Sequence, residues 1–123
     1  MPELVALLDL GSNAARFLLA RISPGVGYRV LREERVQTRL GSGRSGRLPR
    51  EAVEATLTSA RRFLRHARDN GHAPRVVAVA TAAVRDAANR ELLLGALRER
   101  EAVEVHVLSG PEEIGRASCR ERV

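Results

Sequence analysis

The chain has 123 residues, enough for one domain with a real core, and its 44% apolar and 29% charged residues place it among globular rather than disordered proteins. All 21 basic residues are Arg, and the formal net charge is +6, a balance that suits an anionic partner and equally suits a general preference for Arg over Lys. The Met-Pro-Glu start lacks the basic stretch of a signal peptide, and no apolar run approaches the roughly 20 residues that span a bilayer, so a soluble, cytoplasmic protein is expected.

"LVALLDLG", residues 4–11, reads as a buried strand that stops at glycine. "ARFLLARI" (15–22) is a second strand, closed by the "SPGVG" turn. "YRVLREERVQTRL" (28–40) alternates apolar and polar residues through Tyr28 and Val30 and more loosely to Val36, as a half-exposed third strand would. Three successive strands with short turns make an antiparallel meander.

After the "GSGRSGRLPR" loop the period changes. Val53, Leu57, Ala60, Leu64 and Ala67 recur on one helical face, with Pro49 suited to the first helical position and Asn70-Gly71 to the stop. Arg61, Arg62, Arg65 and Arg68 then lie on the outward, solvated face. "RVVAVAT" (75–81) is a continuous apolar strand of the kind covered on both faces in a parallel sheet. Residues 82–100 read as largely helical, with Asn89 as an internal cap dividing them, and "VEVHVLSG" (103–110) as a fifth strand. The order β-β-β-α-β-α-β, with two right-handed crossovers, is the ribonuclease-H-like arrangement: an α/β domain with a mixed sheet flanked by helices, the unit duplicated in the actin-like ATPase superfamily.

Chemistry is concentrated in three places. Asp9 interrupts an apolar strand near its end, where a carboxylate can meet solvent and hold a hydrated Mg²⁺, while Gly11, Ser12 and Asn13 can cradle a phosphate. The same residues also suit an Asp that merely caps its own turn. In "VATAAVRDAANR", Arg85 follows a buried strand near a helix start, where anions collect and guanidinium groups clamp phosphoryl oxygens; a surface ion pair with Asp86 or Glu91 is the plainer alternative. In "VHVLSGPEE", Glu112 and Glu113 open a helix, placed either to activate a water or simply to favour the positive end of the helix dipole. All three places fall at carboxyl ends of strands that this topology makes neighbours, the position where open α/β sheets bind ligands.

Aromatic residues are only 2%, too few for a base-stacking nucleic-acid module. The single Cys119 makes no internal disulfide, and His66, His72 and His106 show no metal-ligand spacing with it. The "GSGRSGR" loop could guide a polyanion with Arg44 and Arg47, although such compositions are usually connectors.

"DLGSNAARFLLA", "RLGSG", "VATAAVRDAANR" and "VEVHVLSGPEE" resemble, in order and spacing, the exopolyphosphatase / guanosine pentaphosphate phosphohydrolase (Ppx/GppA) family from about Leu4 to Glu113. The resemblance implies Mg²⁺-dependent removal of the terminal phosphate from inorganic polyphosphate or pppGpp. It assigns Asp9 to the metal, Gly11, Ser12 and Asn13 to the phosphate cradle, and Arg85 to the phosphate chain. Glu113 becomes the catalytic glutamate, with Glu112 its nearest competitor, and Arg16 a softer substrate contact. Family members are often homodimers.

The pattern departs from the family after residue 113, where "IGRASCRERV" stands in place of a long helix and a duplicate domain with a second phosphate loop. Residues 1–113 are thus expected to form an N-terminal domain and 114–123 an atypical tail, through truncation or a wrongly continued frame, with a natural short variant as the alternative. With half of an interdomain cleft absent, the chain alone is expected to hydrolyse very little. Two other readings stand beside this one: a fragment of a sugar kinase or other actin-like ATPase, and a non-catalytic polyanion- or RNA-binding module exploiting the Arg excess.

Overall fold

The computed structural model of the chain describes residues 2–43, 46–69 and 73–110. Three antiparallel strands come first: β1 (Glu3–Leu10), β2 (Ala15–Ser23) and β3 (Gly27–Val36). Helix α1 (Arg50–Arg68) leads to β4 (Arg75–Ala80), and the four-residue α2 (Ala82–Arg85) and α3 (Glu91–Glu101) lead to β5 (Val105–Val107). The sheet order is β3-β2-β1-β4-β5, with β1 antiparallel to β2 and parallel to β4, so the expected β-β-β-α-β-α-β architecture is the one observed.

Alternation along β1 organises the core. Ala6, Leu8 and Leu10 face the helices and are fully buried together with Phe17 of β2 and Ala80 of β4. The helical stripe meets them: Ala60, Phe63 and Leu64 of α1 and Leu93 and Leu97 of α3 are equally buried. Phe17 and Phe63, the only two phenylalanines, stack with ring centroids 5.3 Å apart, joining sheet to helix where the chain has almost no other aromatic bulk.

Both helices pack into this one core, so among the described residues they cover one face of the sheet. On the other face Val5, Leu7, Leu18, Ile22, Tyr28 and Val77 line an open apolar groove of about 710 Å³. The expectation that β4 is covered on both faces is therefore met on one face only among the described residues; Val77 lies half-buried on the other.

Several boundaries differ from the sequence reading. β3 ends at Val36 rather than at residue 40, because residues 37–41 leave the ladder to bond the β1–β2 turn. Pro49 is the N-cap of α1 in extended conformation, so the helix starts one residue later. The expected stop at Asn70-Gly71 lies outside the described residues. The helical stretch 82–100 breaks at 86–90, and Asn89 does not cap α3: its side-chain amide is bonded instead to Leu48, far away in the chain. The fifth strand keeps only three residues, 105–107.

Candidate functional site

Three strand ends are laced into one rim. The Thr81 N–H donates to the Leu10 carbonyl at 3.4 Å, and the Leu108 N–H donates to the Ala80 carbonyl at 2.8 Å. β1, β4 and β5 are parallel, so all three carboxyl ends meet here, as the topology of an open α/β sheet requires of its ligand edge.

Asp9 is the penultimate residue of β1. With Leu8 and Leu10 turned into the core, the strand's period of two sends Asp9 to the opposite face. The expected solvent contact is corrected by the structure: Asp9 is only 4% exposed, because β1 is the central strand and neighbours flank it on both sides. In register these are Arg16 on β2 and Val79 on β4. Directly opposed residues of this kind have Cβ atoms about 5 Å apart, so Arg16 and Asp9 leave the sheet side by side on one face. Arg16 itself also forms a half-exposed ion pair with Glu33 at 2.8 Å.

The turn after β1 is held from behind. The Gly11 N–H donates to the Ala14 carbonyl at 3.1 Å, and a Cβ at Gly11 would lie 2.9 Å from that oxygen, so glycine is required for this closure. The Ser12 carbonyl accepts from Gly41 N–H at 2.7 Å and the Asn13 carbonyl from Arg39 N–H at 2.9 Å. Gln37 Nε2 reaches Asn13 Oδ1 at 3.4 Å. Ser12 and Asn13 remain exposed, with their carbonyls already occupied by the protein.

Arg85 closes the short α2 rather than opening a helix, which corrects the expected placement at a helix start. Its guanidinium donates to Asp86 through Nε at 3.2 Å and Nη2 at 3.4 Å, the surface pairing the sequence left open. It also donates through Nη1 to the Leu108 carbonyl at 3.2 Å, which ties it to the end of β5, beside Ser109 and Gly110. Asp86 is well exposed, so the pair orients Arg85 more than it neutralises it.

The structure thus brings Asp9, the 11–13 turn, Arg16 and Arg85 to the carboxyl rim. Glu112 and Glu113 lie outside the described residues, as do Arg44, His72 and Cys119. Sequence reasoning missed Arg39, Gly41, Gly43 and the Asn89–Leu48 clamp. The "RLGSG" string contained three of them, but its composition is that of any connector. Among the described residues no group of three or more His, Cys, Asp or Glu is arranged to hold a metal, and no helix is long and apolar enough to cross a membrane.

A ribonuclease-H-like domain of the actin-like superfamily is the class that this sheet and rim define, and the comparisons resolve the family. The model of the Ppx/GppA phosphatase family matches residues 18–118. The chain is 36% identical to Exopolyphosphatase 2 of Mycobacterium tuberculosis over 122 residues, covering 89% of this chain and 37% of that protein. A solved Ppx/GppA family member from Aquifex aeolicus superposes with a TM-score of 0.81 at 30% identity, covering 92% of this chain and 37% of that one. An exopolyphosphatase from Cytophaga hutchinsonii gives a TM-score of 0.78 at 25% identity, with 89% and 35% covered. The chain belongs to the Ppx/GppA phosphatase family. It spans about 37% of the length of the curated exopolyphosphatase it matches.

Proposed function

We propose that the chain supplies one wall of a phosphohydrolase site that removes the terminal phosphate from a linear phosphoanhydride, inorganic polyphosphate or pppGpp. The observation that carries this reading is the shared rim: a buried carboxylate, a glycine-closed polar turn and an anchored guanidinium stand at the ends of adjoining parallel strands. The relatives from Mycobacterium tuberculosis and Cytophaga hutchinsonii are exopolyphosphatases, which favours polyphosphate.

Hydrolysis of a phosphoanhydride asks a protein for positioning and charge neutralisation more than for covalent chemistry. In this reading the 11–13 turn holds the terminal phosphate through its amide and hydroxyl donors. Arg85 clamps oxygens of the chain, and Arg16 adds positive charge beside Asp9. Glu113 aligns a water and takes its proton as the water oxygen bonds to phosphorus. The bridging P–O bond breaks, and the bridging oxygen leaves with the shortened chain.

Asp9 would serve Mg²⁺ as a single carboxylate at the rim, with water and substrate oxygens completing the coordination. Bound there, Mg²⁺ would supply charge neutralisation at the phosphate oxygens. The reading assigns the facing wall of the cleft to a second, duplicate domain and places the protein in the cytoplasm. It therefore expects very little turnover from the chain by itself. Phosphate release from polyphosphate with Mg²⁺, abolished by Glu113→Gln, would overturn that expectation of low turnover.

The reading as a whole is tested by binding. Polyphosphate should bind with Mg²⁺ present, Arg85→Ala should weaken it, and RNA of matched charge should compete poorly across a salt series. Equal competition by RNA, with Arg85→Ala without effect, would instead favour a general polyanion-binding module. Replacing polyphosphate by pppGpp in the same titration separates the two substrates.

A further inference from the structure

The turn at 11–13 and the α2 segment that carries Arg85 are separate in the chain, yet residues 39–43 and 46–48 are bonded to both. At one end the Arg39 and Gly41 N–H groups hold the carbonyls of Asn13 and Ser12, and a Cβ at Gly41 would stand 2.9 Å from the Ser12 Cβ. At the other end the Ala88 N–H donates to the Gly46 carbonyl at 2.8 Å. The Asn89 amide grips both backbone groups of Leu48: Oδ1 accepts from the Leu48 N–H at 2.7 Å, and Nδ2 donates to its carbonyl at 3.1 Å. Between these anchors a Cβ at Gly43 would overlap the Arg47 carbonyl oxygen, so the segment closes tightly on itself. A flexible connector has no need of any of these constraints.

Arg39 stands out within the segment. Its φ of 59° and ψ of 41° are left-handed, a conformation that favours Gly or Asn and is unfavourable for Arg. Its side chain is exposed and forms no ion pair with a described residue. Next to it Thr38 is 4% exposed, and its hydroxyl finds no hydrogen-bond partner among the described residues. The strained backbone of Arg39 is thus bonded directly to the turn that the phosphohydrolase reading gives to phosphate, and its exposed side chain starts from that fixed point.

We propose, resting on that reading, that this segment is a built wall of the anion site: Arg39 is a further contact for substrate phosphate oxygens, and Asn89 is a positioning residue that holds the wall across the rim. The clamp is placed to act through backbone geometry alone, since Asn89 bonds Leu48 and does not itself reach the turn.

The test is a titration of the 123-residue chain with inorganic polyphosphate and Mg²⁺ at fixed ionic strength, with thermal unfolding measured in parallel. Arg39→Gln should weaken binding about threefold to tenfold, the worth of one charge-assisted phosphate contact. Arg39→Gly should raise the unfolding temperature by relieving the left-handed strain, yet weaken binding as much. Asn89→Leu should weaken binding to a similar degree and expose the Leu48 N–H to hydrogen exchange. Asn89→Asp, which keeps the acceptor for that N–H, should recover part of both. If Arg85→Ala weakens binding while both Arg39 variants stay within twofold of the parent, the wall is refuted and the phosphohydrolase reading survives. If Arg85→Ala has no effect either, both fall together. Should Asn89→Leu not fold, the Arg39 pair still decides the question.

Discussion

The two rims of the sheet are both rich in Arg, and they are built differently. At the carboxyl rim Arg85 is tied to Asp86 and to the Leu108 carbonyl, and the 11–14 turn and the 39–43 segment are closed by glycines that admit no side chain. Toward the amino rim, a groove of about 690 Å³ runs between α1 and α3 from mid-helix to their C-terminal ends, lined by Arg61, Arg65, Arg68 and Arg100, with Asp69 and Glu101 at its side. That groove holds more cations, but among the described residues only Arg68 makes a bond across it, to the Glu101 carbonyl at 3.4 Å. Arg65 and Arg68 in the last turn of α1 and Arg100 in that of α3 are what the negative ends of the helix dipoles favour, with no ligand required. Counting charges alone would choose that groove, not the rim on which the phosphohydrolase reading rests. Fixed geometry around the charge separates them.

The largest test of that contrast is Arg85→Ala. Loss of a charged, multiply bonded phosphate contact of about 1.5–3 kcal/mol predicts a roughly tenfold to hundredfold weaker polyphosphate affinity, read by titration calorimetry. Gly43→Ala comes next. The added methyl group overlaps the Arg47 carbonyl oxygen, so it should cost about 2 kcal/mol in denaturant unfolding, in the range of other overpacked sites. The matched change in a helix should have the opposite sign: a Cβ at Gly95 in α3 meets only the Glu91 carboxylate at 3.7 Å. Gly95→Ala should therefore stabilise by about 0.5–1 kcal/mol. The smallest effect belongs to the amino rim. Arg61→Gln with Arg65→Gln should change polyphosphate affinity by less than about twofold at ~0.15 M ionic strength, because exposed charges are screened within about 8 Å. A loss there as large as that of Arg85→Ala would erase the distinction between the rims.

Much of this arrangement was legible in the sequence because it depends on local period. Asp9 between Leu8 and Leu10 announces a carboxylate on the face away from the core, and the α1 stripe from Val53 to Ala67 buries as its spacing requires, Leu57 least completely. The element order β-β-β-α-β-α-β followed from the switch between strand and helix periods. What stayed hidden depends on distance along the chain. Asn89 looks like a cap in its own neighbourhood, but its partner Leu48 is 41 residues away. Arg39 looks like the end of a strand, and only its bond to Asn13 shows why the chain turns left-handed there. Arg85 was read near a helix start because the break at 86–90 carries no proline or glycine to mark it. The burial of Asp9 was missed for a related reason: a strand end is expected to be wet, whereas this one lies in the middle of the sheet.

The borders of the sheet bear on how the chain behaves at high concentration. β3 forms one border, and the register slips opposite Leu19 and Ala20, a bulge that interrupts its outer row of amides. Along the same strand Arg29, Arg32, Glu33 and Arg35 are exposed, while the other border among the described residues, β5, offers only three residues. Neither side presents the long, flat, uncharged template on which fibrils grow. Self-association driven by the apolar groove would therefore stack copies face to face and stop at small clusters, visible as a concentration-dependent rise in scattering without thioflavin-positive fibres.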